Sequence, residues 1–276
     1  MTSNPNSQPP APANGNNAII RMVDVYKSFG SLRVLAGVTL SFERGKNTVV
    51  LGPSGAGKSV ILKHIVGLLK PDRGEVWFEN QRVDQASDRE LVEIRKKIGF
   101  LFQMGALFDS MNVQENVCFP LEEHGAFSAD ERAARAEKAL EMVGLAGIGH
   151  KMPAELSGGQ RKRVALARAI VLGPEVVLYD EPTTGLDPIR SDVINELIIA
   201  MRDRLGITGI IVTHDMASAF KIADRIVMLY DGRIIADGTP ETFRRDGDDL
   251  VARFVRGEAD REDLDAIRRG FGQVKG

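Results

Sequence analysis

The sequence predicts an α/β fold: a mostly parallel β-sheet covered by helices, with an inserted helical subdomain. Three observations predict it. Short β-branched runs ending in turn residues recur along the chain ("KNTVVLG", "IGFLFQ", "EVVLYDEP", "TGIIVTHD", "RIVMLYDG") and have the near-continuous apolar pattern of strands buried on both faces. Segments of helical period separate several of these runs, as crossovers between parallel strands require. One long helical stretch, between Gln103 and Ser157, breaks the alternation.

The elements follow in order. Residues 1–18 are rich in Asn, Pro, Ser and Ala, with no basic start and no apolar centre, and read as a disordered tail rather than a signal peptide. Ala18 to Val25 and Leu40 to Phe42 alternate in strand fashion. "KNTVVLG" then gives a buried strand ending in glycine, and Val60 to Leu69 follows with helical spacing that stops before Pro71. Asp88 to Gly99 carries mixed charges ahead of the strand "IGFLFQ". Ser128 to Val143 is helical, with Ser128 as N-cap and Glu131 at the capping-box position. Ser157 starts a helix that runs to about Leu172 and ends at Gly173-Pro174. The strand "EVVLYDEP", a helix from Pro188 to Leu205, the strand "TGIIVTHD", a helix over Met216 to Ala223 and the strand "RIVMLYDG" complete the alternation. The division is a tail (1–18), a domain (19–239) with its helical subdomain at about 104–160, and a charged extension (240–276). In that extension Leu250, Phe254 and Val255 have the spacing of a short docking helix.

Composition narrows the function. The chain has 276 residues, 43 % hydrophobic and 27 % charged, which are ordinary globular values. Its net charge of −2, from 36 basic and 38 acidic residues, argues against a nucleic-acid partner. The local run Arg161-Lys162-Arg163 reads as a solvated helix face. A single cysteine, Cys118, excludes an internal disulfide and fits a reducing compartment. No apolar run approaches the roughly 18–20 residues that cross a bilayer. The expectation is a cytosolic protein that reaches a membrane only by docking onto something else.

"GPSGAGKS" matches the pattern Gly-x4-Gly-Lys-Ser, between a buried strand and a helix, the context a phosphate loop requires. Its residues are Gly52, Pro53, Ser54, Gly55, Ala56, Gly57, Lys58 and Ser59, with Val60 opening the helix. Glycines let the backbone wrap phosphates, and successive N–H groups at a helix N-terminus offset the negative charge. Lys58 would bridge the β- and γ-phosphates, and the Ser59 hydroxyl would hold Mg²⁺. "VVLYDE" puts Asp180 and Glu181 at the end of a hydrophobic strand. Asp180 is placed to hold Mg²⁺ through water, and Glu181 to orient or deprotonate an attacking water. "VTHD" puts His214 after another strand, where it can hydrogen-bond a γ-phosphate oxygen. His64, His124 and His150 have no such context and read as surface residues. "ELSGGQRKR" offers a second anion-binding turn, two glycines before a helix, with no lysine inside it.

These pieces, in this order, resemble an ATP-binding cassette (ABC) ATPase from about Ile19 to Thr239, which implies a P-loop, RecA-like nucleotide-binding core with an antiparallel β edge. The motifs are the loop at Gly52–Ser59, Gln103 after "GFLF", "LSGGQ" at Leu156–Gln160, "VVLYDE", "TGLD" at Thr184–Asp187, and His214. The resemblance implies that two chains stack head to tail. The signature turn of one (Ser157, Gly158, Gly159 and Gln160) then closes over the ATP held by the other. It also implies an adenine-stacking ring at Phe29, where tyrosine or tryptophan is commoner and where Tyr26 is a second candidate. Gln103 would reach Mg²⁺ and the water, and Asp187 would contact the opposite chain. Lys58, Gln103, Glu181 and His214 would be catalytic, with ATP and Mg²⁺ as cofactors.

"FQMGALFDSMNVQENVCFPLEEH" and "GLDPIRSDVINELI" resemble ATPases of MCE-type (Mla-type) lipid transporters. This implies a peripheral homodimer on the cytoplasmic face of an inner membrane. Its partners would be an integral-membrane permease whose helix fits beside Gln103, an MCE-domain lipid-binding protein and, optionally, a small regulatory subunit. The alternative is the same enzyme serving a small-solute importer for amino acids or phosphate. A soluble ABC ATPase acting on nucleic acid would show tandem cassettes, a coiled-coil insertion or a basic face, and none is visible. A non-hydrolysing regulatory module would lack Glu181 or His214.

Overall fold

The structure, a computed structural model, describes residues 17–125, 127–245 and 249–258. The expected disordered tail therefore lies almost wholly outside the described residues, and so does the end of the charged extension. The chain opens with β1 (Ala18–Phe29), β2 (Leu32–Glu43), β3 (Asn47–Leu51), α1 (Lys58–Ile65), β4 (Arg73–Phe78) and β5 (Gln81–Arg82). It continues through α2 (Asp88–Lys96), β6 (Ile98–Leu101), α3 (Val113–His124), α4 (Ala129–Met142) and α5 (Gly158–Ile170). After these come β7 (Val176–Asp180), α6 (Pro188–Leu205), β8 (Thr208–Thr213), α7 (Met216–Ile222), β9 (Arg225–Tyr230), β10 (Arg233–Gly238), α8 (Pro240–Arg245) and α9 (Asp249–Arg256).

Two sheets result. A six-stranded sheet has the order β10-β9-β3-β8-β7-β6 and is parallel except at β10, which pairs antiparallel with β9. A four-stranded antiparallel sheet, β2-β1-β4-β5, packs over one face of it. Alternation along the central strands explains the layering. Val49 and Leu51, Val177 and Tyr179, Ile211, Ile226 and Met228 face a core shared with α3 to α7. Val50, Val176, Leu178, Ile210, Val212, Val227 and Leu229 face the other core, shared with α1, α2 and the antiparallel sheet. Both faces are apolar, so these strands read as unbroken hydrophobic runs.

Several elements differ from the sequence expectation. Helix α1 spans Lys58–Ile65 instead of Val60 to Leu69. Gly57 at φ 98° turns the loop straight into it, and Gly67 at φ 66° ends it well before Pro71. The mixed-charge segment before β6 is a helix, α2, closed by a capping box between Ser87 and Glu90. Asn112 and Glu115 make the same reciprocal pair at α3. His64 is not a surface residue: it is 1 % exposed on α1, its Nδ1 2.7 Å from the Val60 carbonyl. Burial lowers its pKa and holds the ring neutral. His150 is exposed and His124 half-buried.

The spacing of Leu250, Phe254 and Val255 predicts a docking helix, and α9 occupies that stretch. Phe243 of α8 and Val251 of α9 are buried in the core of the six-stranded sheet, and Phe254 and Val255 pack against it. Ending the chain after Thr239 is expected to remove this burial, worth roughly 1.5–3 kcal/mol per large apolar side chain. The melting temperature should fall by roughly 5–15 °C, as a thermal melt would read. An unchanged melt would mean that α8 and α9 add nothing to the core. Among the described residues, no helix is long and apolar enough to cross a membrane.

Candidate functional site

The chemistry-bearing loops all leave the carboxyl edge of the parallel sheet, where open α/β sheets bind ligands. The phosphate loop follows β3, Gln103 follows β6, Asp180 ends β7 with Glu181 next, and His214 follows β8. They enclose a cleft of about 430 Å³ lined by Phe29, Ser54, Gly55, Gly57, Lys58, Ser59, Val60, Gln103, Glu181 and His214, among others. Gly57 is one position of the loop that calls for glycine. It sits at φ 98°, and a Cβ there would lie 2.9 Å from a Val34 methyl.

Lys58 is 6 % exposed and donates to the carbonyls of Gly52, at 2.8 Å, and Pro53, at 3.1 Å. Ala56 closes the loop by donating its N–H to the Pro53 carbonyl at 3.2 Å. Burial pulls the Lys58 pKa down, and the Glu181 carboxylate 3.6 Å away opposes that. The Ser59 hydroxyl donates to Asp180 Oδ1 at 2.8 Å. Burial raises the Asp180 pKa against that hydrogen bond.

Glu181 is held on both oxygens. Thr184 and Thr213 donate their hydroxyls to Oε2, each at 3.2 Å, and His214 Nδ1 lies 3.0 Å from Oε1. A carboxylate only accepts, so Nδ1 carries the proton and Nε2 is left as the second ring nitrogen for a ligand. The Glu181 backbone sits at φ 49°, a left-handed conformation that costs a non-glycine residue about 1–3 kcal/mol and needs support from its surroundings. Its N–H donates to the Val212 carbonyl at 2.9 Å.

Of the two candidate rings, Phe29 is 47 % exposed and lines the cleft. Tyr26 instead lies against Gly37, with the Arg73 guanidinium 5.2 Å from its ring centre. The remaining candidates lie elsewhere. Ser157 caps α5 in a reciprocal box with Gln160, and Ser157, Gly159 and Gln160 line a separate pocket with Arg163 and Arg190. Gly158 opens α5 beside them. Asp187 caps α6, accepting from the Arg190 N–H at 3.0 Å. Within one chain, then, the signature turn and Asp187 do not line the phosphate-loop cleft.

Sequence reasoning missed three contributors. Thr184 and Thr213 stand inside quoted motifs, one as the first residue of "TGLD" and one beside His214, and their hydroxyls were legible as partners for Glu181. Lys162 was not: in the basic run expected to be a solvated face, Arg161 is exposed and Arg163 half-buried, but Lys162 is buried. Lys162 is 6 % exposed and donates to the backbone carbonyls of Gln103 and, at 3.2 Å, Glu181. Its neighbours bond carbonyls too: Arg161 reaches Leu156, and Arg163 reaches Val143 and Gly144.

A phosphate loop between β3 and α1, a strand-end carboxylate pair and a histidine around one cleft define a P-loop nucleotide hydrolase. The ABC transporter family model matches residues 35–184, and the chain belongs to that family, as an ATP-binding and ATP-hydrolysing subunit. The chain is 40 % identical to the intermembrane phospholipid transport system ATP-binding protein MlaF of Haemophilus influenzae, over 89 % of this chain and 93 % of that one. It is 42 % identical to a probable ribonucleotide transport ATP-binding protein, mkl, of Mycobacterium leprae, over 86 % of this chain and 69 % of that one. Among solved structures it resembles a dimeric post-hydrolysis state of the ATP-binding cassette MJ0796 bound to ADP and Pi. That match has a TM-score of 0.74 and 36 % identity, over 80 % of this chain and 98 % of that one.

Proposed function

We propose that this chain powers phospholipid transport between membranes, as a head-to-tail homodimer seated on the cytoplasmic face of an inner-membrane permease. One observation supports the dimer: the glycine-bearing helix N-terminus at Ser157, Gly158, Gly159 and Gln160, suited to hold an anion, lies outside its own chain's cleft. Its phosphate is then a partner's. Lys58 and the loop N–H groups would hold the β- and γ-phosphates, Phe29 the adenine, and His214 a γ-phosphate oxygen. Glu181 would take the proton of the attacking water, and Asp187 would face the opposite chain.

The residues also fit Mg²⁺. Ser59 Oγ and Asp180 Oδ1 form a close pair of hard oxygen donors beside the phosphate loop, with Gln103 lining the same cleft. Mg²⁺ is commonly held by one or two protein oxygens plus phosphates and water. Bound there, it would neutralise charge on the phosphates.

The permease is supported by a groove of about 390 Å³ beside the Gln103 loop. Phe100, Phe102, Phe108 and Phe119 give it an apolar floor, and Arg95, Lys96 and Arg168 are among its other lining residues. Phospholipid as cargo, and an MCE-domain protein as partner, rest on the sequence resemblance and on MlaF, which this chain matches over nearly its whole length. The match to mkl spans less of that protein, so its ribonucleotide name weighs less here.

Purification of the chain from detergent-solubilised membranes, with mass spectrometry of what accompanies it, tests the reading. A permease, an MCE-domain protein and bound phospholipid are expected. A solute-binding protein in their place would make the chain part of a small-solute importer. On the nucleotide side, Phe29→Ala is expected to weaken ATP binding roughly tenfold or more by removing the ring. Titration with a fluorescent ATP analogue would read this, and unchanged affinity would move the adenine elsewhere.

A further inference from the structure

We propose that Lys162 is a positioning residue for hydrolysis, clamping the Gln103 loop to the backbone of Glu181 from the helix that begins at the signature turn. The inference rests on the reading above in one respect, that Glu181 serves the attacking water.

The geometry is specific. Lys162 lies on α5 and is 6 % exposed, yet its ammonium bonds two backbone carbonyls on two different loops, those of Gln103 and Glu181. Burying an ammonium is costly, and burial pulls the Lys162 pKa down; Asp180 and Glu181 oppose it electrostatically. A residue that only filled space at this point of the core would be apolar, as Val164 and Ala165 are two and three positions on. Lys162 does not line the nucleotide cleft, so it acts through other groups.

What it acts on is the strained turn. Glu181 sits at φ 49°, and such a conformation persists only when the surrounding structure over-determines it. The Val212 carbonyl fixes the N–H, and Lys162 Nζ at 3.2 Å, together with the Thr184 N–H at 3.3 Å, fixes the carbonyl. The two threonine hydroxyls then aim the carboxylate.

The same ammonium makes α5 a mechanical link. Ser157 caps this helix five residues before Lys162, about 7.5 Å along its axis, with no break between them. A partner's nucleotide pulling on the signature turn therefore pulls on the Glu181 carbonyl. A permease helix that shifts the Gln103 loop pulls on the same atom from the other side. Hydrolysis is licensed when both demands on Nζ are met together.

The test compares Lys162→Met, Lys162→Gln and Lys162→Arg in the full chain assembled with its permease, with Val164→Ala as a packing control on the same helix. Methionine keeps the apolar bulk of the stem, ending one atom short of Nζ, and removes every donor. It is expected to lower kcat about tenfold or more, with KM for ATP and affinity for a non-hydrolysable analogue within about twofold. Arginine can still donate to both carbonyls and should restore most of kcat. Val164→Ala should lower the melting temperature without this split between kcat and KM. Should Lys162→Met fail to fold, Lys162→Gln carries the same expectation, because its shorter amide can reach only one of the two carbonyls. A folded Met or Gln variant with parental kcat overturns the inference, and so does a parallel loss of kcat and analogue binding. Glu181→Gln run alongside separates the two levels. If it turns over like the parent, the assignment of the base falls; if it is inactive while Lys162→Met is fully active, only the role of Lys162 falls.

Discussion

Glu181→Gln is expected to bind ATP about as tightly as the parent chain and to hydrolyse it roughly a hundred- to ten-thousandfold more slowly, the range lost when a positioned base is removed. The site should accept the amide without rearrangement. Oε1 faces two donors, Lys58 Nζ at 3.6 Å and His214 Nδ1 at 3.0 Å, so the glutamine oxygen belongs there. The NH₂ group then faces the hydroxyls of Thr184 and Thr213, which can turn round and accept. Lys58 loses only the charge of its partner and still faces an oxygen, and it keeps its bonds to the Gly52 and Pro53 carbonyls, so binding should survive; what disappears is a carboxylate able to take a proton. Single-turnover phosphate release measures the loss. Size-exclusion chromatography with ATP should show the variant held as a dimer, because in the proposed head-to-tail pair closure needs ATP and reopening needs hydrolysis. Parental turnover would mean that another group activates the water, and Asp180 is then the nearest carboxylate in sequence.

The sheet and the cleft were largely legible because their signals are local. Each strand of the six-stranded sheet that carries a motif loop is buried on both faces, so its apolar run stands out, and its loop follows at once. The phosphate loop, Asp180, Glu181 and His214 needed only the inference that parallel strands end on one edge. Boundaries were less legible. The α1 C-terminus is set by Gly67, three residues after His64, whereas the sequence drew attention to Pro71. Helix α2 was hidden by its charges: only Leu91 and Ile94 are buried, too few to show a period, though its Ser87–Glu90 box was present. Lys162 was illegible for a different reason. A lysine in a basic run on an amphipathic helix is usually solvated, and its burial depends on two loops 59 and 19 residues away in the chain. His64 was misread on the same ground, as an isolated polar residue that the helix turns inward.

Gly158→Asp should leave ATP binding intact and lower hydrolysis by roughly a hundredfold or more, the scale of losing a group that stabilises transition-state charge. The chain itself has room for the side chain. A Cβ at Gly158 would have Leu186 Cδ2 as its nearest neighbour, at 3.8 Å, and a carboxylate in the first turn of α5 suits the helix dipole. The fold and the phosphate loop should therefore be undisturbed, and a thermal melt near the parental value would show it. On the head-to-tail proposal, the loss would come from placing a negative charge where another chain's γ-phosphate docks. That distinguishes a site shared between chains from one contained in a single chain. Lys58→Met damages the phosphate loop and leaves the signature turn whole, so each variant alone should be inactive. In a head-to-tail pair of one of each, the intact loop of the Gly158→Asp chain meets the intact turn of the Lys58→Met chain. Mixing them should recover about a quarter of parental turnover, since half the pairs are mixed and each has one whole site of two. No recovery from two folded, pairing chains would confine the signature turn to a role within its own chain, and the head-to-tail reading would fall with it.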